Sequence, residues 1–317
     1  MSKQRLIIDT DTGVDDAIAL MMALCSPNVE VAAITTVAGN IDNGHVKRNV
    51  CYVLDVLQKD VAVFGGAEGP LFGAHTPLPG LMGEDGLGNV TLSLPSPAHT
   101  VQDEHAVLAL LRMVKEEARR GDFTLVALGP LTNLAMAVRL DASFVNNVSR
   151  LVIMGGAVEA KGNTTPAVEF NFFADPEAAS IVLSAGFANV WILPWEVSVR
   201  HALAWGAFDD LAALQTDKSA FFTKITSITR TRLQKDFGFW GMPLPDPSAM
   251  LVAIEAGAVR QECYVPVFVE TCGRFGRGMM VVDWQQQVGM KPNAHVVTEI
   301  DSEQLLRSIR NSLLEGS

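Results

Sequence analysis

The sequence predicts an α/β domain of doubly wound type: a mostly parallel sheet with flanking helices and a more helical C-terminal portion. Three observations predict it. Short β-branched runs bounded by glycine recur along the first two thirds of the chain. These runs are continuously apolar rather than alternating, as expected of strands covered on both faces. Helical patterns lie between them.

Taken in order, LIID (6–9) is the first strand, and an apolar helix starts near Asp15. VAAITTVAG (31–39) leads into a helix from about Asp42 to Leu57, and VAVFG (61–65) follows. The stretch 66–98 is rich in Gly and Pro and too long for an ordinary connection, so it reads as a functional flap. A helix fits 103–119, with Ala106, Leu110, Met113, Val114 and Ala118 on one face. TLVALG (124–129) precedes a helix carrying Leu131, Leu134, Ala135 and Val138. LVIMGG (151–156) precedes a polar loop, 157–174, and a helix from Asp175 to Ala185. NVWIL (189–193) closes the alternation. Beyond 200, one or two helices are expected over 202–235, then 247–256 and 302–314. VPVFVE (265–270) and MMVVDW (279–284) are two late strands suited to a hairpin. No repeat, low-complexity tract or linker interrupts the pattern, so a single domain over 1–317 is expected.

Composition narrows the function. The 317 residues are 49% hydrophobic and 19% charged, enough apolar content for a sizeable core and against disorder. Lys and Arg total 24 against 35 Asp and Glu, a net charge of −11. That balance argues against nucleic acid or an anionic membrane as partner, and suits a small ligand that is neutral or cationic. No apolar run approaches the ~20 residues that span a bilayer. Residues 1–8 lack a secretory signal. Cys25, Cys51, Cys263 and Cys272 show neither CxxC pairing nor accompanying His spacing. A cytoplasmic protein is expected.

In a doubly wound sheet, ligands sit at the carboxyl ends of the strands. There DTDTGVDD (9–16) places four carboxylates within eight residues, with no Lys or Arg between Arg5 and Lys47. Asp9 and Asp11 project to the same side as the strand runs out. Gly13 permits a sharp turn, and Asp15 and Asp16 open the next helix. A helix N-terminus favours such anions by about 0.3–1 kcal/mol each, too little to offset four like charges. A hard divalent cation can offset them, and oxygen-only ligands select Ca²⁺ or Mg²⁺. The alternative is an acidic, N-capped helix start facing water. The spacing excludes an EF-hand, whose sixth-position glycine and twelfth-position glutamate are missing. A phosphate loop is a poor match, since there is no GxGxxG or GK[ST]. A phosphohydrolase of the haloacid-dehalogenase type, which carries D-x-D after its first strand, stays open as an alternative.

DTDTGVDDA followed by ITTVAGN (34–40) resembles the inosine-uridine-preferring nucleoside hydrolase family. The likeness continues through HAVLAL (105–110), LGPLTNLAMA (128–137), LVIMGGA (151–157), VEFNFFADPEAA (168–179) and DP (246–247), in order along nearly the whole chain. The resemblance implies a doubly wound fold, a tightly bound Ca²⁺, hydrolysis of the N-glycosidic bond of ribonucleosides, and a homodimer or homotetramer. It implies that Asp11, Asp16 and Asp246 bind Ca²⁺ by side chains and Leu128 by its carbonyl. Asp11 is also the implied general base, with Asp9 supporting the metal site. Asp15, Asn40, Glu169 and Asn171 are implied to hold the ribose hydroxyls, and Asn163 to reach the 5′ side. Such anions suit an oxocarbenium-like transition state, which carries developing positive charge. A metal-dependent hydrolase of another ribosyl or phosphorylated substrate, or a non-catalytic ribose binder, are the competing readings.

The sequence departs from the family on the side of the leaving group. Many members have His before the late metal-binding Asp; here it is Pro245. In FGFWGMPLPD (237–246), Trp240 is the residue expected to reach the base by stacking, with His75, His201 and Arg232 as other donors.

Overall fold

The structure is a computed structural model that describes residues 3–78, 80–255 and 257–314. Strand β1 (Gln4–Thr10) is followed by α1 (Val14–Cys25), β2 (Val29–Thr36), α2 (Asn43–Leu57) and β3 (Val63–Gly65). After the flap come α3 (Ala106–Arg120), β4 (Thr124–Ala127), α4 (Thr132–Leu140), α5 (Phe144–Asn147) and β5 (Arg150–Met154). Then follow α6 (Phe170–Ala174), α7 (Pro176–Ser184), β6 (Val190–Leu193) and α8 (Trp195–Arg200). The C-terminal portion contains β7 (Leu203–Ala204), α9 (Trp205–Ala212), α10 (Asp217–Lys235), β8 (Gly241–Met242) and α11 (Pro245–Ile254). It ends with β9 (Val259–Val265), β10 (Val267–Val269), β11 (Met280–Val282), β12 (Ala294–Ile300) and α12 (Ser302–Leu313).

Eight strands form one sheet in the order β3-β2-β1-β4-β5-β6-β12-β9. All pairs are parallel except β12 with β9. The chain winds outward from β1 in one direction and from β4 in the other, so a crevice opens between their carboxyl ends. Side chains alternate along β1. Leu6 and Ile8 join Val126 and Val152 in the core shared with α1, α11 and α12, while Ile7 joins Leu125 and Ile153 on the face covered by α3, α4 and α7. Every residue of α1 is buried, its acidic first turn included. No helix of the described residues is long and apolar enough to cross a membrane.

The strands and helices expected before residue 200 are present, as is the hairpin, β10 with β11. The region 202–235 holds two helices, α9 and α10. Residue 256, the end of the helix expected over 247–256, lies outside the described residues. Four strands were not foreseen, among them the two-residue β7 and β8, which pair with each other. β12 extends the parallel sheet beyond β6, and β9 closes its edge. Five consecutive residues of β9 are exposed, so its polar sequence carries no hydrophobic signal.

The flap between β3 and α3 is held by side chains rather than by a ladder. Asp85, fully buried, accepts hydrogen bonds from the backbone N–H groups of Leu87 (2.7 Å), Asn89 (2.8 Å) and Thr91 (2.8 Å) and from Thr91 Oγ1 (2.7 Å). Asn49 of α2 donates to the carbonyls of Asp85 (2.8 Å) and Thr12 (3.0 Å), tying the flap to the acidic turn. Asp175, which caps α7, also accepts from the Leu71 N–H at 2.8 Å. Asp85→Ala leaves four donors without their acceptor. The expected cost is at least about 2 kcal/mol in urea unfolding, with faster proteolysis between residues 66 and 98. Unchanged stability and an unchanged cleavage pattern would show that the flap is organised by something else.

Candidate active site

The site grows out of the carboxyl ends of β1, β2, β4 and β5. The chain leaves β1 at Thr10 and turns through Asp11 to Gly13 before α1 begins, which buries the acidic run between sheet and helix. Asp16 is fixed from several sides. It accepts from Thr10 Oγ1 (2.6 Å), from the Gly13 N–H (3.0 Å) and, more weakly, from Asn40 Nδ2 (3.4 Å). Asp11 accepts from the Asn40 N–H at 2.7 Å. Below them Asp9 accepts from Thr35 Oγ1 (2.5 Å) and Asn133 Nδ2 (2.8 Å).

Asp246 arrives from the other end of the chain, in the first turn of α11, which packs on α1. Pro245 and Pro247 flank it and suit that helix start. Oxygens of Asp15, Asp16 and Asp246 lie within 4.8 Å of one another. Asp11 feels the charges of Asp16 and Asp15, and Asp246 those of Asp15, Asp16 and Asp11. Burial, and then these neighbours, hold the carboxyls of Asp11 and Asp246 well above the usual range. Asp15 is pushed up to about 7, by burial first and by Asp16 second. Burial also raises Asp9 to about 7 against the pull of its two hydrogen bonds.

The loop after β5 supplies the facing wall. Glu169 caps α6 and accepts from the N–H groups of Asn171 (2.8 Å), Gly156 (2.9 Å) and Phe172 (3.3 Å). Burial nevertheless lifts its carboxyl to about 7. Asn171 Nδ2 donates to the carbonyls of Leu128 (2.6 Å) and Met154 (3.2 Å). Asn163 Oδ1 accepts from the Phe170 N–H at 2.9 Å.

One cavity is lined by Asp11, Asp15, Asn40, Leu128, Asn163, Glu169, Asn171 and Asp246. The structure therefore brings these sequence-selected residues together, with Asp16 buried directly beneath. Trp240 is the correction. Its side chain is 57% exposed and does not line the cavity. The chain enters the short β7–β8 ladder only at Gly241, so the side chain delivered to the cavity is Met242. His75, His201 and Arg232 do not line it either. His75 contacts the Gly39 carbonyl (2.8 Å), and His201 contacts Ser302 Oγ (2.6 Å).

Sequence reasoning missed two contributors. Met82 of the flap receives the Val14 N–H on its sulfur at 3.4 Å, and so roofs the start of α1. Asn133 bridges Asp9, the Thr36 carbonyl (2.9 Å) and the Ala67 N–H (2.9 Å); its place in LGPLTNLAMA was the available signal. Asp15, read from the sequence as a ribose ligand, also stands beside Asp16 and Asp246.

The donor set fits a hard divalent cation. It is all oxygen and buried, and Asp15 Oδ1 has no hydrogen-bond partner. Among the described residues no Lys, Arg or His lines the cavity. Oxygen-rich walls opposite the acidic cluster suit a polyhydroxyl ligand.

Comparison with known proteins gives a consistent result. The sequence model described as inosine-uridine preferring nucleoside hydrolase matches residues 6–307. A Salmonella gallinarum protein named pyrimidine-specific ribonucleoside hydrolase RihA is 36% identical over 304 residues, covering 94% of each chain. The protein of that name from Escherichia coli O9:H4 is 34% identical over the same share. Among solved structures, an inosine-guanosine nucleoside hydrolase is similar with a TM-score of 0.91 and 35% identity, over 98% of both chains. The plant nucleoside hydrolase PpNRh1 is similar with a TM-score of 0.91 and 28% identity, over 98% of this chain and 99% of that one.

Asp11 is wedged between two glycines. A Cβ at Gly39 would stand 2.1 Å from Asp11 Oδ2, and one at Gly129 would stand 2.8 Å from Oδ1. Gly39→Ala is expected to push that carboxylate aside and lower nucleoside turnover about 10²-fold in protein that still folds, as measured by circular dichroism and ribose release. Turnover within a few-fold of the parent would mean that the observed position of Asp11 is not the working one.

Proposed function

The chain belongs to the inosine-uridine preferring nucleoside hydrolase family, and from that premise we propose how its own residues divide the work. It is a hydrolase of N-glycosyl bonds that converts ribonucleosides to free base and ribose. The observation that carries the assignment of roles is the convergence of three buried carboxylates, Asp11, Asp15 and Asp246, with Asn40, Glu169 and Asn171 in one cavity.

In this reading the metal is Ca²⁺, held by the side chains of Asp11, Asp16 and Asp246 and the carbonyl of Leu128. The oxygen-only donors and the acidic cluster support it. Bound there, Ca²⁺ lowers the pKa of water and offsets the like charges. Asp9, below the cluster, holds its floor through Thr35 and Asn133. Asp15, Asn40, Glu169 and Asn171 bind the ribose hydroxyls, and Asn163 faces the 5′ side. A site built around hydroxyls rejects the deoxy sugar, because its polar groups are then left unpaired. As the C1′–N bond lengthens, the ribosyl group gains positive charge, which the surrounding carboxylates stabilise. Asp11 takes the proton of the attacking water as its oxygen bonds to C1′.

The names of the relatives span pyrimidine and inosine-guanosine specificity, so they do not fix the base. We also read residues 1–317 as one domain, because strands from both ends of the chain share one sheet. A reducing, cytoplasmic setting fits the free exposed Cys263 and Cys272. A homodimer or homotetramer fits the exposed apolar side chains of Tyr264, Trp284, Val288 and Met290.

Asp11→Asn tests the roles. It keeps the shape and an oxygen for the ion but loses the proton acceptor. Ribose release at saturating Ca²⁺ is expected to fall by about 10²–10⁴ with little change in ribose affinity. Near-normal turnover would remove Asp11 as the base.

Cation binding and pH are linked. Burial raises Asp15 from 3.8 to about 7, so without a cation the fold favours its protonated form. Its contribution to stability is then full below about pH 4 and is lost as pH rises through about 7. A cation takes over as the protons leave. The gap in Tm between Ca²⁺-loaded and chelated protein is therefore expected to widen from about pH 5 to about pH 8. A gap that stays constant with pH would contradict a cation at these carboxylates.

A further inference from the structure

The cavity has two unlike halves. Its titratable groups, Asp11, Asp15, Glu169 and Asp246, all belong to the part read to hold the metal and the ribose. The remaining wall carries Leu78, Leu81 and Met82 from the flap, Leu233 from α10, Met242 from β8, and Pro245 at the start of α11. Among the described lining residues, this half has no acid, base or cation. Trp195 and Thr229 also line the cavity and can offer a hydrogen bond, but neither surrenders a proton near neutral pH. The Thr229 hydroxyl is already donated to the Leu81 carbonyl at 3.2 Å.

This matters for how the bond breaks. A neutral nucleoside releases its base as an anion unless a proton reaches the base first. An aliphatic and thioether wall stabilises no anion and gives no proton. A riboside whose aglycone is already cationic has no such need. The electron pair of its C1′–N bond passes to the ring nitrogen, and the aglycone departs neutral. Its positive charge moves to the ribosyl group, toward the carboxylates. Water then bonds to C1′, and its proton goes to Asp11.

We propose that the substrates this cavity serves best are N-ribosyl cations, the N7-alkylated purine ribosides and N-ribosylpyridinium compounds, rather than neutral nucleosides. The proposal rests on the ribose placement given above. The net charge of −11 favours the approach of such cations as well.

The test compares 7-methylguanosine with guanosine, and adds p-nitrophenyl riboside, whose leaving group needs no proton. A protein acid levels the reactivity of the first two, whereas its absence leaves their difference expressed. The expected kcat/KM ratio of 7-methylguanosine to guanosine is at least about 100, the lower end of what a general acid contributes. Nicotinamide riboside is expected to be turned over alongside 7-methylguanosine. If any of these ribosides is hydrolysed and the ratio is below about 100, a proton donor reaches the base and the proposal falls. If none is hydrolysed in Ca²⁺-loaded protein, including p-nitrophenyl riboside, it is the reading of the whole site that falls.

Discussion

Five carboxylates, those of Asp9, Asp11, Asp15, Asp16 and Asp246, are buried at one corner of a parallel sheet. Taking even one such charge out of water costs several kcal/mol unless it is paired or hydrogen-bonded. Much of the local architecture answers that constraint. Thr10, Thr35, Asn40 and Asn133 aim donors at three of the five. The turn at Gly13 supplies another backbone N–H. The helix carrying Asp246 is drawn across α1 to complete the group, which couples the last third of the chain to the first strand.

The fold was legible in the sequence to the extent that hydrophobic burial drives it. Continuous apolar runs such as LVIMGG exist because parallel strands are covered on both faces, and every such run before residue 200 became a strand. β9 escaped notice because its residues face water, so backbone pairing to β12 defines it and side-chain pattern does not. The short helices α5, α6 and α8 are too brief to show a period.

The acidic corner was legible for a different reason. Four like charges beside a buried strand conflict with burial by more than a helix start offsets, and such conflicts mark chemistry. What sequence distance hides is assembly. Nothing near Asp246 announces that it meets Asp15, and nothing in the flap announces that Met82 seats on the first turn of α1. Trp240 shows the converse error. Nearness in sequence to Asp246 was taken for nearness in space, but two residues of ladder between them send the indole outward.

The cavity's two halves are mounted on different supports. The polar floor is set into strand ends, with a glycine packed closely on either side of Asp11. The apolar roof comes from a flap without a strand ladder and from the edges of α10 and β8. Aliphatic positions of similar volume exchange at small cost, commonly under about 1.5 kcal/mol, whereas the floor tolerates not even a methyl group at Gly39. Descendants of such a protein are thus free to explore new aglycones by drifting through roof sequences while inheriting one unaltered ribose-cleaving apparatus. Diversification in this scaffold is modular, and its evolvability resides in the part of the site that performs no chemistry.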